Sequence, residues 1–287
     1  MLPWLIAASC AVAAAQTPHL AARQLKVALL NANIDSSKFT EQLSQDLRQN
    51  DFKMLDSDLA RAAANGAKIE NPFNLSLETA KNLGAVIDCD FFLVVKSETG
   101  RRSSFAKNVY FESSAIIFLV SAETGRLIAW SDQHFNADAP AAAEKLLLAE
   151  TAQIARNLST KITSADEREQ TERRESLTSP ILIQDLPDET APDAQNFRVP
   201  LPYKRLRPTY TEAARARSIE ATVDVAAELD ERGAVTRTEI VRWAGFDLDE
   251  AAAETVKKMQ FRPALRDGAP LAIRILLRYN FRAFEKQ

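Results

Sequence analysis

Apolar and polar residues alternate cleanly from Leu271 to Phe281. Leu271, Ile273, Ile275, Leu277, Tyr279 and Phe281 fall on one face, and Ala272, Arg274, Leu276, Arg278 and Asn280 fall on the other. A period of two sustained over this length marks a half-buried antiparallel strand. Such a strand needs neighbours for its backbone groups and a layer to cover its apolar face. The preceding residues supply both. Two runs, Glu220 to Asp230 and Ala234 to Trp243, read as strands joined by a turn at Glu231-Arg232-Gly233. Leu248 to Met259 reads as a helix, with Asp247 as its cap and Glu250 three residues on. Phe261-Arg262-Pro263-Ala264 leads to a turn at Asp267-Gly268, and then to the last strand. The lead-in holds Pro200-Leu201-Pro202-Tyr203, Pro208-Thr209-Tyr210 and a short helix from Thr211 to Arg217. The order is β-β-α-β, a complete small module from Pro200 to Phe281.

The rest of the chain needs a second unit, since 287 residues suffice for two ordinary domains. A content of 46% hydrophobic and 26% charged residues is that of folded soluble protein. A net charge of −3 supplies no basic field, which argues against a nucleic-acid partner. The seven glycines are scattered over turn positions, so phosphate loops and dinucleotide fingerprints are excluded and no cofactor is expected. Of the two histidines, His19 and His134, neither has a partner at metal-ligand spacing, so no metal is expected. His134 lies near Asp132, but no nucleophile motif accompanies them, and His134 reads as an exposed residue at a strand end. No catalytic residues are expected, and the chain does not read as an enzyme.

Residues 1–15 are apolar and end in Ala13-Ala14-Ala15-Gln16, which reads as a signal peptide with a small-residue cleavage site. Cys10, in Ala7-Ala8-Ser9-Cys10, offers a lipoprotein alternative, and the run is too short for a comfortable membrane span. Cys89 precedes the apolar run Phe91 to Val95 and is expected to be a buried, inert thiol.

From 24 to 162 strand and helix patterns alternate. Leu25 to Leu30, Phe52 to Leu55, Phe91 to Lys96, Val109 to Ser121 and Arg126 to Trp130 read as strands. Helices are expected from Ser36 or Ser37 through Asn50, from Asp56 to Ala64, from Leu77 to Leu83 with Gly84 as the stop, and from Ala141 to Ile162. The apolar positions of that last helix fit helical spacing poorly at first and better later. Arg101-Arg102 reads as a basic hairpin tip. Residues 163–199 turn charged and proline-containing and read as a linker. Glu169 and Arg173 are spaced to prolong the preceding helix, and Ile181-Leu182-Ile183 is an apolar patch able to dock on a domain.

The module at 200–281 resembles the C-terminal domain of the TonB family of energy transducers. The likeness lies in an ordered set: Pro208-Thr209-Tyr210, Ala213-Ala214, Ala221-Thr222-Val223-Asp224-Val225, Asp230-Glu231-Arg232-Gly233-Ala234-Val235, Leu248-Asp249-Glu250-Ala251-Ala252, Phe261-Arg262-Pro263-Ala264, Asp267-Gly268 and Tyr279-Asn280-Phe281. Ala221 departs from it, standing where the family usually has Gly. The first unit resembles, more distantly, envelope α/β domains of the TolB N-terminal, CsgG-like and LpoB-like kinds. That likeness lies in Leu83-Gly84-Ala85 leading to Cys89-Asp90, and in Ser121-Ala122-Glu123-Thr124-Gly125 before Trp130.

The expected class is therefore α+β: an N-terminal α/β sandwich-type domain, a linker and a TonB-like β-β-α-β domain. The resemblance implies a periplasmic protein, membrane-associated through its N-terminus, whose partner is an outer-membrane receptor peptide or another envelope protein. It places the partner strand along the last strand, at Ala272, Arg274, Leu276, Arg278 and Asn280. Energy transduction for outer-membrane transport is one role so implied, and an envelope scaffold or assembly factor is the alternative. The charges of Arg274 and Arg278 admit two readings, selective pairing with an acidic peptide or guarding of the edge against pairing.

Overall fold

A computed structural model of the chain describes residues 23–32, 38–103, 108–176, 184–185 and 196–283. The expected signal segment, Cys10, His19 and the Ile181-Leu182-Ile183 patch lie outside the described residues. The fold is α+β. The first unit comprises β1 (Lys26–Asn31), α1 (Lys38–Arg48), β2 (Lys53–Met54), α2 (Ser57–Gly66), α3 (Leu77–Ile87), β3 (Phe91–Arg102), β4 (Tyr110–Ser121), β5 (Leu127–Ala137), α4 (Pro140–Ala149) and α5 (Thr151–Ser176). Its strands form one mixed sheet in the order β2-β1-β3-β4-β5, parallel across the first three and antiparallel from β3 to β5.

Alternation divides this sheet between two cores. Val27 and Leu29, Phe91, Leu93 and Val95, and Ile117 and Leu119 pack against α1, α4 and α5. Their neighbours Ala28 and Leu30, Phe92 and Val94, and Phe118 and Val120 face α2, α3 and the C-terminal module. A sheet covered on both faces reads as continuous apolar runs, which is why β3 and β4 carry so little polar residue at their centres.

Several boundaries differ from the sequence reading. Gly84 does not stop α3. It lies inside the helix, where a Cβ would stand 2.4 Å from the Ala122 Cβ, so glycine here permits close packing on the β4–β5 turn. The helix ends instead at Asp88, in the left-handed region. Strand β3 runs on to Arg102, so Arg101-Arg102 is strand, with Arg102 paired to Glu98 and Glu112. The helix expected from Ala141 to Ile162 is two helices meeting at Glu150, each with its own stripe, which accounts for the poor early spacing. Helix α5 continues through the first part of the expected linker, to Ser176. Its buried stripe Ile154, Leu158, Ile162, Ala165 and Glu169 keeps helical spacing past Ile162.

The remaining elements are β6 (Gln184–Asp185), β7 (Phe197–Arg198), β8 (Leu201–Pro202), α6 (Glu212–Ala216), β9 (Ala221–Leu229), β10 (Val235–Arg242), α7 (Leu248–Lys257), β11 (Phe261–Arg262), β12 (Ala264–Arg266), β13 (Ala269–Leu271) and β14 (Ile273–Phe281). The main sheet is ordered β10-β9-β14-β6, and the small sheets β11-β8 and β13-β12-β7 lie beside it. Helix α7 covers one face. Val223, Val225, Leu229, Phe261, Ile273 and Ile275 are all buried there. Tyr210, of the Pro208-Thr209-Tyr210 motif, sends its hydroxyl to the Ile219 carbonyl at 2.9 Å and stacks near Phe281, closing the far end of the sheet.

The two units share a core. Phe118 of β4 meets Trp243 and Phe246 at centroid distances of 5.8 and 5.6 Å, and Trp130 of β5 meets Phe246 at 5.0 Å. Gly245 lets this happen: it adopts φ +67°, and a Cβ there would stand 2.4 Å from the Phe118 ring. Asn74 stitches the backbones together. Its amide donates to the carbonyls of Thr222 and Trp243 at 2.8 and 2.7 Å, and its oxygen accepts from the Thr222 N–H at 3.1 Å. The Trp243 indole donates to the Gly125 carbonyl at 2.9 Å.

Candidate functional site

The last strand has the facing that its alternation requires. Ile273, Ile275 and Phe281 are buried, while Leu276, Arg278 and Asn280 are exposed and Arg274 is half-buried. Ala272 is exposed and falls just outside β14, in the break after β13. The first residue of the strand is therefore Ile273.

One edge of β14 is filled along its whole nine-residue length by β9, in antiparallel register from Ile273 opposite Leu229 to Phe281 opposite Ala221. The other edge is different. It pairs in parallel with β6 at two positions, Ile273 with Gln184 and Arg274 with Asp185. Among the described residues, no strand lies beside Ile275 to Phe281 on that side. Their outward backbone groups can take a further strand.

The outer face beside this edge is set by charge. Arg278 makes two hydrogen bonds to the Asp224 carboxylate, at 2.7 and 2.9 Å, and Arg242 adds one at 3.2 Å. Burial alone would raise the Asp224 pKa, but the hydrogen bonds and charges of Arg278 and Arg242 outweigh it and hold the carboxyl below its ordinary value. Arg274 reaches Glu239 at 2.8 Å, Glu239 also accepts from Arg126 of the first unit at 3.4 Å, and Arg126 reaches Glu172 of α5 at 2.7 Å. Asn280 accepts from the Thr222 hydroxyl at 2.9 Å. Arg274 and Arg278 thus have acidic partners within the sheet, and neither charge is held in reserve for a ligand.

The other residues weighed in the sequence have structural roles. Asp132 does not pair with His134. Its two oxygens clamp Arg217 of the C-terminal module, each at 2.6 Å, and His134 lies within β5, exposed. The capping box expected at Asp247 is absent: Asp247 has φ +61° and makes no side-chain cap. Asp249 acts instead, accepting the N–H groups of Ala244 and Gly245 at 2.8 and 2.9 Å. Burial pushes its carboxyl up to about 7 against the pull of those two bonds. The Cys89 thiol is pushed up to about 12, by burial first and then by Asp90, which makes it a poor nucleophile. Among the described residues, no three His, Cys, Asp or Glu side chains are grouped to hold a metal, and no helix is long and apolar enough to cross a membrane.

Asn74, Arg217 and the Trp243-Ala244-Gly245-Phe246 loop were not singled out in the sequence, which carries no local signal for contacts between distant segments. The Trp243 side of that loop was visible only as the end of the strand expected from Ala234 to Trp243.

Residues 207–283 match the family described as the Gram-negative bacterial TonB protein C-terminal. Protein TonB of Vibrio cholerae is 34% identical over 79 residues, which cover 27% of this chain and 32% of that protein. The match thus spans about a third of the relative's length. Among solved structures, the C-terminal domain of Pseudomonas aeruginosa TonB aligns at 19% identity over 32% of this chain and 92% of its own, with a TM-score of 0.27. A hypothetical protein from Chlamydia trachomatis aligns at 13% identity over 49% of this chain and 99% of its own, with a TM-score of 0.35. The ordered motifs, the β9-β10-α7-β14 arrangement and the family match agree: the chain ends in a TonB-like C-terminal domain.

Proposed function

We propose that this is a non-enzymatic protein of the cell envelope, acting in the periplasm, whose TonB-like domain binds an extended segment of a partner by strand addition to β14. One observation carries the reading: one edge of β14 is filled along its length by β9, while on the other, among the described residues, only Ile273 and Arg274 are paired and the stretch from Ile275 to Phe281 has no neighbouring strand. Backbone pairing supplies affinity in this mode, and side chains at alternate positions supply choice. Leu276, Arg278 and Asn280 are the alternate positions on the exposed face, with Arg274 and Ala272 at its start. The partner class that suits a TonB-like domain is a short peptide of an outer-membrane receptor, or a similar extended segment of another envelope protein. Titration of the labelled full chain with a candidate receptor peptide should give amide shifts centred on Ile273 to Phe281. Shifts confined to α7 or to the first unit would reject the assignment.

A second reading is favoured by the shared core. A domain whose loop Trp243 to Phe246 is packed against Phe118 and Trp130 is held to its own first unit. That suits an envelope scaffold or assembly factor better than a force-transmitting tether. Fractionation separates the two: an anchored chain recovered with the inner membrane favours energy coupling, and recovery elsewhere favours the scaffold.

A further inference from the structure

The edge of β14 offered above to a partner already has an occupant at its start. Gln184 and Asp185 lie in parallel register against Ile273 and Arg274, the first two residues of the strand. They come from the segment that joins α5 to β7. We infer that Gln184 and Asp185 act as a resident strand, which competes with incoming strands for the β14 edge and limits them to the residues beyond it. The inference deepens the strand-addition reading and rests on it for its function.

Three features of the chain favour this role. The first is delivery. Glu172 near the end of α5 is joined through Arg126 and Glu239 to Arg274, by contacts of 2.7, 3.4 and 2.8 Å. This chain of ion pairs sets the last turns of α5 beside the residue that pairs with Asp185. The second is sequence. The segment reads Ile181-Leu182-Ile183-Gln184-Asp185-Leu186, bounded by Pro180 and Pro187. Branched and apolar residues favour a strand, and the two prolines limit it. The third is the limit itself. Pro187 has no N–H to give, which disfavours carrying a ladder on past Leu186. Sequence thus favours a short resident strand, and among the described residues no strand lies beside Ile275 to Phe281 on that edge.

A short occupant of this kind is a weak competitor for each hydrogen bond and a strong one by proximity. A short tether holds its segment at an effective concentration on the order of millimolar, so an untethered strand must exceed that to displace it. A partner that pairs with the open residues and extends toward Ile273 displaces Gln184 and Asp185 as it zips. Moving α5 away from β14 would release them as well.

The test uses the full chain and a version in which residues 181–186 are replaced by a Gly–Ser segment of the same length. The strand probe is a synthetic peptide of residues 179–188. In the intact chain the Ile273 to Ile275 amides should be protected from hydrogen exchange more than in the replaced chain. The peptide should bind the replaced chain, with shifts starting at Ile273 and Arg274, and should bind the intact chain at least about tenfold more weakly because of the tether. Equal protection in the two chains, or equal peptide binding by both, overturns the inference. Peptide binding to the replaced chain at another site overturns it too. A receptor peptide that fails to bind either chain counts against the proposed function alone, because the exchange and self-peptide measurements decide the resident strand without it.

Discussion

The two sheets of this molecule solve the problem of coverage differently. The first is apolar on both faces, with α1, α4 and α5 on one and α2, α3 and the C-terminal module on the other. The second is apolar on one face only, and its other face is held by the Asp224 and Glu239 ion pairs. The first therefore depends on the second for part of its cover, while the second keeps a polar face and, among the described residues, an edge of β14 unpaired from Ile275 to Phe281. Backbone pairing with a partner, as proposed for β14, needs a surface that stays wet until the partner arrives, and the one-sided sheet meets that need.

The sharpest way to break this contrast is to remove the shared core. Trp243→Ala should cost about 3–5 kcal/mol, as large core aromatics do, and should lower the unfolding midpoint of both units together. Separate transitions, with the first unit unmoved, would show that it does not need the second for cover. Ile275→Ala, on the buried face of β14, should cost about 2–5 kcal/mol in chemical denaturation. Arg217→Ala removes a half-buried double contact to Asp132 between the units and should cost about 1.5–3 kcal/mol, the range for charged hydrogen bonds. Arg274→Ala, on the wet face, should cost under about 1 kcal/mol. Equal costs for Ile275→Ala and Arg274→Ala would mean that the second sheet is not one-sided.

Asp249 adds a pH signature to the junction. Its pKa is about 7 in the folded chain against an ordinary value of 3.8, so between those values the native state holds a proton that the unfolded state has released. Its contribution therefore makes stability fall as pH rises from about 4 to about 7. Asp249→Asn should remove that slope from urea midpoints, while lowering stability throughout because one N–H loses its acceptor. A slope unchanged in the variant would place its origin elsewhere.

What the sequence made legible followed from local periodicity. The alternation of Leu271 to Phe281 told which face of β14 turns inward, with Ile273, Ile275 and Phe281 buried and Leu277 and Tyr279 partly buried, and the ordered motifs of the module told its topology. Gly84 misled because glycine has two meanings in a helix, a stop or a close approach, and only Ala122 on a distant turn decides between them. Asp247 misled because a capping box fixes spacing but not backbone angle, and the angle at Asp247 is left-handed. Past Ile162 the polar composition points to a linker while the Glu169–Arg173 spacing points to a longer helix, and the stripe that continues to Glu169 decides for the helix. The strand across from Ile273 was beyond reading, since parallel pairing leaves no turn between the strands to announce it.

The Gly125–Trp243 contact joins residues 118 positions apart. A ribosome adds about 5–20 residues each second, so the first unit waits on the order of ten seconds for Trp243 and Phe246 to be made. Through that interval Phe118 and Trp130 have no partner from the later segment. Whatever escorts the nascent chain must shield an aromatic surface whose natural cover has yet to be translated.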